Sequence, residues 1–131
     1  MTTLAQIASR DWSMKLGVLG EAVEALDDIA QCLRVIVTTQ KGTDPLRPDF
    51  ACDLFGFIDL PITTMVPHAV REITAAIQRY EPRVVLLAVL VTPLTDQQGG
   101  HVDIEIRWRL NIAGTASVAR STLVTIPRAV A

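Results

Sequence analysis

Histidine, cysteine and aromatic residues are scarce in this chain of 131 residues: two histidines, two cysteines, two tryptophans, one tyrosine and three phenylalanines. Each scarcity excludes something. Cys32 and Cys52 stand in neither a CxxC nor a CxxH spacing, which removes the common zinc patterns. Cys32 falls inside an apolar helical pattern and reads as a small core residue; a disulfide with Cys52 is allowed but not demanded. His68 and His101 both read as surface residues, and no HExxH, GxSxG or P-loop occurs, so no catalytic residue, metal or cofactor is expected. With 12 basic and 14 acidic residues the net charge is −2, without the basic excess that nucleic-acid binding requires. No apolar run approaches the roughly 20 residues that span a bilayer, so no membrane partner is expected. No charged-then-apolar leader opens the chain, so a soluble protein made in a reducing cytoplasm is the expectation.

What is abundant is aliphatic. Half the residues are apolar, enough for one domain with a real core. Residues 1–20 read as an N-terminal arm in which Trp12 is an anchor, either to this domain or to a partner. From Glu21 a helical pattern begins. Ala22, Leu26, Ile29, Leu33 and Ile36 form one stripe, with acidic residues crowding the first turns where the helix dipole favours them. A stripe so narrow suits either the core or a coiled-coil seam. Residues 40–49 form a stiff loop carrying Gly42, Pro45 and Pro48. Residues 50–58, with all three phenylalanines, read as a short helix that plugs the core.

A second helix is expected over 64–80, capped by Thr63 or Thr64, with Pro67 in its first turn and Val66, Val70, Ile73, Ile77 and Tyr80 buried. Pro82 ends it by pushing Glu81 out of helical geometry. Three strands follow. Residues 84–93 are apolar on both faces, which suggests a central strand or one covered by a partner. Residues 102–110 alternate strictly, with Asp103, Glu105, Arg107 and Arg109 on one wet face. Residues 95–100 and 111–114 are turns, 117–126 a weaker strand, and 128–131 a loose tail. The fold class is α+β: two main helices on one face of a three-stranded antiparallel sheet, preceded by an arm. A single α+β domain spans 21–127.

Little in the chain suggests chemistry. Glu81 is the one carboxylate in an unusual setting, and Arg83, two residues on in extended backbone, projects to its side. A cation that close favours the ionised carboxylate, the wrong state for a general acid. Arg107 and Arg109 share their face with two acids, which reads as a solvated face with cross-strand pairs rather than an anion site.

Two stretches carry a resemblance. One is the loop 38–51, with Gly42 and then Arg47-Pro48-Asp49-Phe50-Ala51; the other is Tyr80-Glu81-Pro82-Arg83 at the helix-to-strand joint. With the helix residues 27–33, they make residues 25–94 resemble the small baseplate wedge proteins of contractile phage tails, the phage protein W or tail-lysozyme-like family, to which a type VI secretion baseplate component also belongs. Ala51 departs from the pattern, because the family usually carries glycine there; if the position needs a positive φ, alanine strains it.

The resemblance implies a structural component rather than an enzyme, located in the virion tail baseplate and assembled in the host cytoplasm. Its implied partners are larger baseplate wedge subunits, whose helices bundle with the first helix, and tail sheath subunits, whose assembly starts on the sheet. The implied partner-binding residues are Glu81, Pro82 and Arg83, the helix stripe Leu26, Ile29, Leu33 and Ile36, and Arg47, Asp49 and Phe50 of the loop. Arg83 could serve an interface or pair internally with Glu81. The alternatives are a peptidoglycan-degrading tail lysozyme acting through Glu81, and a small-molecule binding module on the same scaffold.

Overall fold

A computed structural model describes residues 2–94, 101–113 and 117–127. The expected turn at 95–100 and the tail at 128–131 lie outside the described residues. Helices α1 (Ala25–Thr38) and α2 (Ile62–Tyr80) pack on one face of an antiparallel meander of β4 (Val84–Leu94), β5 (His101–Leu110) and β6 (Arg120–Pro127). This layer is the α+β arrangement the sequence predicts. Alternation along β5 sends Val102, Ile104, Ile106 and Trp108 inward, where all four are fully buried against the helices. Trp108 Nε1 donates to Thr122 Oγ1 at 3.0 Å, so the buried indole is satisfied.

The sheet order is β4-β5-β6, so β5 is central and β4 is an edge strand. Of the two readings open for β4, a central strand or one covered by a partner, this removes the first. Its inward residues Leu86, Val89 and Val91 pack on the core. Leu87, Leu90 and Leu94 face outward and are 48 %, 40 % and 41 % exposed. A register shift between Leu86 and Ala88 produces this split.

A second sheet is the larger correction. Residues expected as an irregular arm form β1 (Thr2–Thr3) and β2 (Trp12–Met14), which flank β3 (Glu21–Glu24) in the order β1-β3-β2, all antiparallel. Glu21–Glu24 is therefore a strand, not the first helical turn, and α1 begins at Ala25. The helical-looking stripe misleads here because Ala22 is buried in either geometry. Gly17 and Gly20, with φ of +82° and +81°, let the chain reverse between β2 and β3.

Residues 50–58 form successive turns rather than a helix, bonded by Phe57 N–H to the Leu54 carbonyl and Leu60 N–H to the Phe57 carbonyl. Leu54 and Ile58 fill the core, while Phe50 and Phe57 pack at its margin and Phe55 is exposed. In α2 the N-cap is Pro61, with Thr63 and Thr64 inside the helix. Pro67 is its sixth residue, past the first turn. The buried stripe is Met65, Ala69, Ile73, Ala76 and Ile77; Val66 and Val70 flank it half-buried.

Candidate functional site

The two stretches that carry the family resemblance meet in space. α2 ends at Tyr80 as Pro82 requires, and the Glu81 N–H closes the helix on the Ile77 carbonyl at 2.9 Å. Asn111, just past β5, fastens the joint: its N–H donates to the Arg83 carbonyl at 2.8 Å and its side chain to the Pro82 carbonyl at 3.4 Å. The loop packs against this joint. The Tyr80 hydroxyl donates to the Asp49 carbonyl. The Phe50 and Tyr80 rings meet edge to face at 5.0 Å, and the Arg47 guanidinium lies 4.2 Å from the Phe50 centroid. Arg47 also pairs with Asp44 at 3.2 Å. The Leu46 N–H chiefly, with Arg47 assisting, holds the Asp44 carboxyl below the usual range.

Ala51 sits at φ +75° and is buried. The position does demand left-handed backbone, where an L side chain is strained. The strain is held in place by neighbours, since Cys52 is buried and its thiol donates to the Ile36 and Val37 carbonyls at 3.6 and 3.7 Å. Burial pushes that thiol up to about 11.

Arg83 is the centre of the site. Its Nε and Nη2 bind Glu81 Oε1 and Oε2 at 2.7 and 2.8 Å, a bidentate pair. Nη1 reaches Asp28 Oδ2 of α1 at 2.9 Å and lies 3.7 Å from Asp11 Oδ1 of the arm. Nη2 also approaches Cys32 Sγ at 3.5 Å. Glu81 and Asp28 are each 3 % exposed. The hydrogen bond with Glu81 first, and that with Asp28 second, hold the guanidinium charge more firmly than in water. The Cys32 thiol is raised by burial and then by the Asp28 and Glu81 charges. Of the two roles open to Arg83 in the sequence, the internal pair is the one formed in the isolated chain. Asp28 is the residue sequence reasoning missed; its signal was an acid beside the apolar stripe, one position before Ile29.

Beside this network lies a groove of about 550 Å³, walled by Cys32 and Val35 of α1, Phe50 of the loop, Pro82 and Arg83 of the joint, and Met14 of the arm. Its wall is mainly apolar. Arg47, Glu81 and Ile36 also border it, so six of the ten expected partner residues converge there. Leu26 and Ile29 border a smaller groove of about 310 Å³ on the far side of Arg83. Asp49 is tied to α2 through Arg79 at 3.8 Å. Of the two readings of the helix stripe, core or coiled-coil seam, the isolated chain has the core: Ile29, Leu33 and Ile36 are buried among the core residues. On the outer sheet face Arg107 pairs with Glu105 at 3.0 Å, and Ser121 and Thr125 bond Glu105 and Asp103 across to β6. That is the solvated face expected.

The class is that of a small α+β domain with a buried charge centre beside an open apolar groove. The family model of the baseplate wedge protein gp25 matches residues 23–115, and the chain belongs to that family. It is 40 % identical over 84 residues to the baseplate wedge protein gp25 of Enterobacteria phage T4, a match covering 63 % of this chain and 62 % of that protein. The chain thus spans about three-fifths of that relative's length. Two solved structures share the fold. A Geobacter sulfurreducens protein provisionally named a tail lysozyme superposes with a TM-score of 0.69 at 27 % identity, over 88 % of this chain and 96 % of that one. A component of the post-contraction baseplate of pyocin R2 superposes with a TM-score of 0.61 at 25 % identity, over 76 % and 98 %.

Proposed function

We propose that this chain is a structural wedge component of the baseplate of a contractile tail or related injection machine, assembled in the host cytoplasm. In this reading the groove at Glu81–Arg83 receives a larger wedge subunit, and the β4 side of the sheet helps to start sheath assembly. The observation that carries it is the closing of both family-like stretches, 47–50 and 80–83, around one apolar groove. Apolar area in an open groove is stabilised when a partner covers it. Pro82, Arg83, Arg47 and Phe50 supply that surface, with the buried Glu81 and Ile36 at its floor, whereas Leu26, Ile29, Leu33 and Asp49 support it from behind or from the flank.

The tail-lysozyme alternative finds little support in the geometry. A general acid needs a carboxyl free to give a proton to a leaving group. Both Glu81 oxygens are taken by Arg83, and the side chain is buried. Native mass spectrometry of the chain co-expressed with its neighbouring gene products tests the assembly role. A defined complex with a larger subunit is expected, and it should weaken when Phe50→Ala and Pro82→Ala are combined. A chain that stays alone among well-folded neighbours would sink the reading. Clearing of purified peptidoglycan that Glu81→Gln abolishes would replace it with the enzymatic one.

A further inference from the structure

The N-terminal sheet is seated on the domain in an unusual way. Within residues 2–24 only Ala22 is buried, and none of these residues belongs to the core cluster. Most of its large apolar side chains are exposed, namely Leu4, Trp12, Met14, Leu16, Val18 and Leu19, while Ile7 and Val23 are half-buried. Three grooves, of about 700, 550 and 310 Å³, run between this sheet and the rest of the molecule. Close packing is what normally makes an element part of the cooperative unit. Here the attachment is polar instead, and much of it passes through one side chain. Gln31 Nε2 donates to Ser13 Oγ at 3.0 Å and to the Met14 carbonyl at 2.8 Å, and Gln31 Oε1 accepts from the Leu16 N–H at 3.0 Å. Asp11 adds its 3.7 Å approach to Arg83. At the junction Ala25 takes φ +51° and donates its N–H to the Asp11 carbonyl at 2.9 Å.

We propose that residues 2–24 form a clasp that opens as a unit about the junction at 24–25 while the two helices and the large sheet stay folded. Opening removes Ser13, Met14 and Leu16 from the wall of the groove at Glu81–Arg83 and widens access to Cys32 and Val35. The clasp therefore sets how much of the groove is accessible. The biological meaning of the opening rests on that groove's receiving a wedge subunit; the opening itself does not.

Hydrogen exchange of the intact chain tests the opening. Amides of 2–24 should exchange together and at least tenfold faster than those of β5. Gln31→Ala removes three hydrogen bonds, and alanine is a better helix former, so α1 is not weakened. That variant should speed exchange of the clasp by about 10- to 100-fold and leave β5 unchanged. The two cysteines report the consequence. Labelling of Cys32 by a thiol reagent should accelerate in Gln31→Ala, while the buried Cys52 stays slow. Clasp amides as protected as β5, or Gln31→Ala lowering protection throughout the chain, would overturn the proposal. So would Cys32 labelling that does not change. If the clasp opens as described but no wedge complex forms, only the docking reading fails.

Discussion

Removing the Arg83 side chain leaves two buried carboxylates, Glu81 and Asp28, without their cation, while Asp28 Oδ1 already has no hydrogen-bond partner among the described residues. Taking one member from a buried ion network is among the more damaging single changes, roughly 3–5 kcal/mol. Arg83→Ala should therefore lower the urea midpoint of the isolated chain sharply. Adding Asp28→Asn should recover part of the loss, because one fewer buried charge is then stranded. Equal effects with and without Asp28→Asn would show that the two groups are not coupled. Ala51 offers a subtler contrast. At φ +75° glycine relieves a strain of about 1–2 kcal/mol, which offsets the lost methyl and the freer unfolded chain. Ala51→Gly should fall within about 0.5 kcal/mol of the parent, whereas Ala69→Gly, in the buried stripe of α2, should lose about 1 kcal/mol or more. Cys52 carries a pH dependence. Its folded-state thiol is raised to about 11 from an ordinary 9.0, so the unfolded chain loses the proton first as pH rises. Its contribution is fully present below pH 9 and disappears towards pH 11, at about 1.4 kcal/mol per unit. Unfolding curves under reducing conditions should show that decline, and Cys52→Ala should flatten it.

At the scale of elements, both long helices and all three strands of the large sheet were legible, because each has a strong period and a clear stop. Pro82 ended α2, and alternation defined β5. The misses share a physical cause: segments whose local pattern suits two geometries are decided by contacts distant in sequence. Glu21–Glu24 is a strand because Thr2–Thr3 and Trp12–Met14 flank it, and nothing local announces that. In α2, Ala69 and Ala76 share the buried face with Met65, Ile73 and Ile77; bulkier Val66 and Val70 drew attention instead. The meeting of loop and joint was legible only as a resemblance, since 30 intervening residues separate Phe50 from Glu81, with which it lines the groove. Pro67 yields a prediction at this scale. As the sixth residue of α2 it denies the Thr63 carbonyl a donor, and its ring is exposed, so it packs little. Pro67→Ala should stabilise the chain by about 1–2 kcal/mol after allowance for unfolded-state entropy. A loss of stability on calorimetry would mean that the proline fixes a bend that the core requires.

For the whole molecule the decisive feature, among the described residues, is the sparsely protected rim of the large sheet. Natural edge strands are usually shielded by charges, proline, bulges or a covering element. β4 is an edge strand of eleven residues with no charged side chain, a single proline at Pro93 and one irregularity at Leu86/Ala88. Leu87, Leu90 and Leu94 add an exposed apolar row on the outer face. Strand order was not legible in the sequence, because an apolar run reads alike in a buried central strand and in an edge that a partner will cover. The structure makes β4 an edge, and under the proposal that sheath assembly starts on this sheet a partner would cover it. Leu90→Lys tests this cleanly. In register, Leu90 lies opposite Glu105, so a lysine there gains a cross-strand partner of opposite charge. Stability of the isolated chain should change by no more than about 0.5 kcal/mol, and its solubility should rise. Combined with Leu87→Lys, the same change should abolish co-sedimentation of the chain with polymerising sheath protein while leaving the complex at the Glu81–Arg83 groove intact. Sheath assembly that proceeds undiminished on the doubly charged edge would remove β4 from the nucleating surface and leave the groove as the chain's remaining proposed contact.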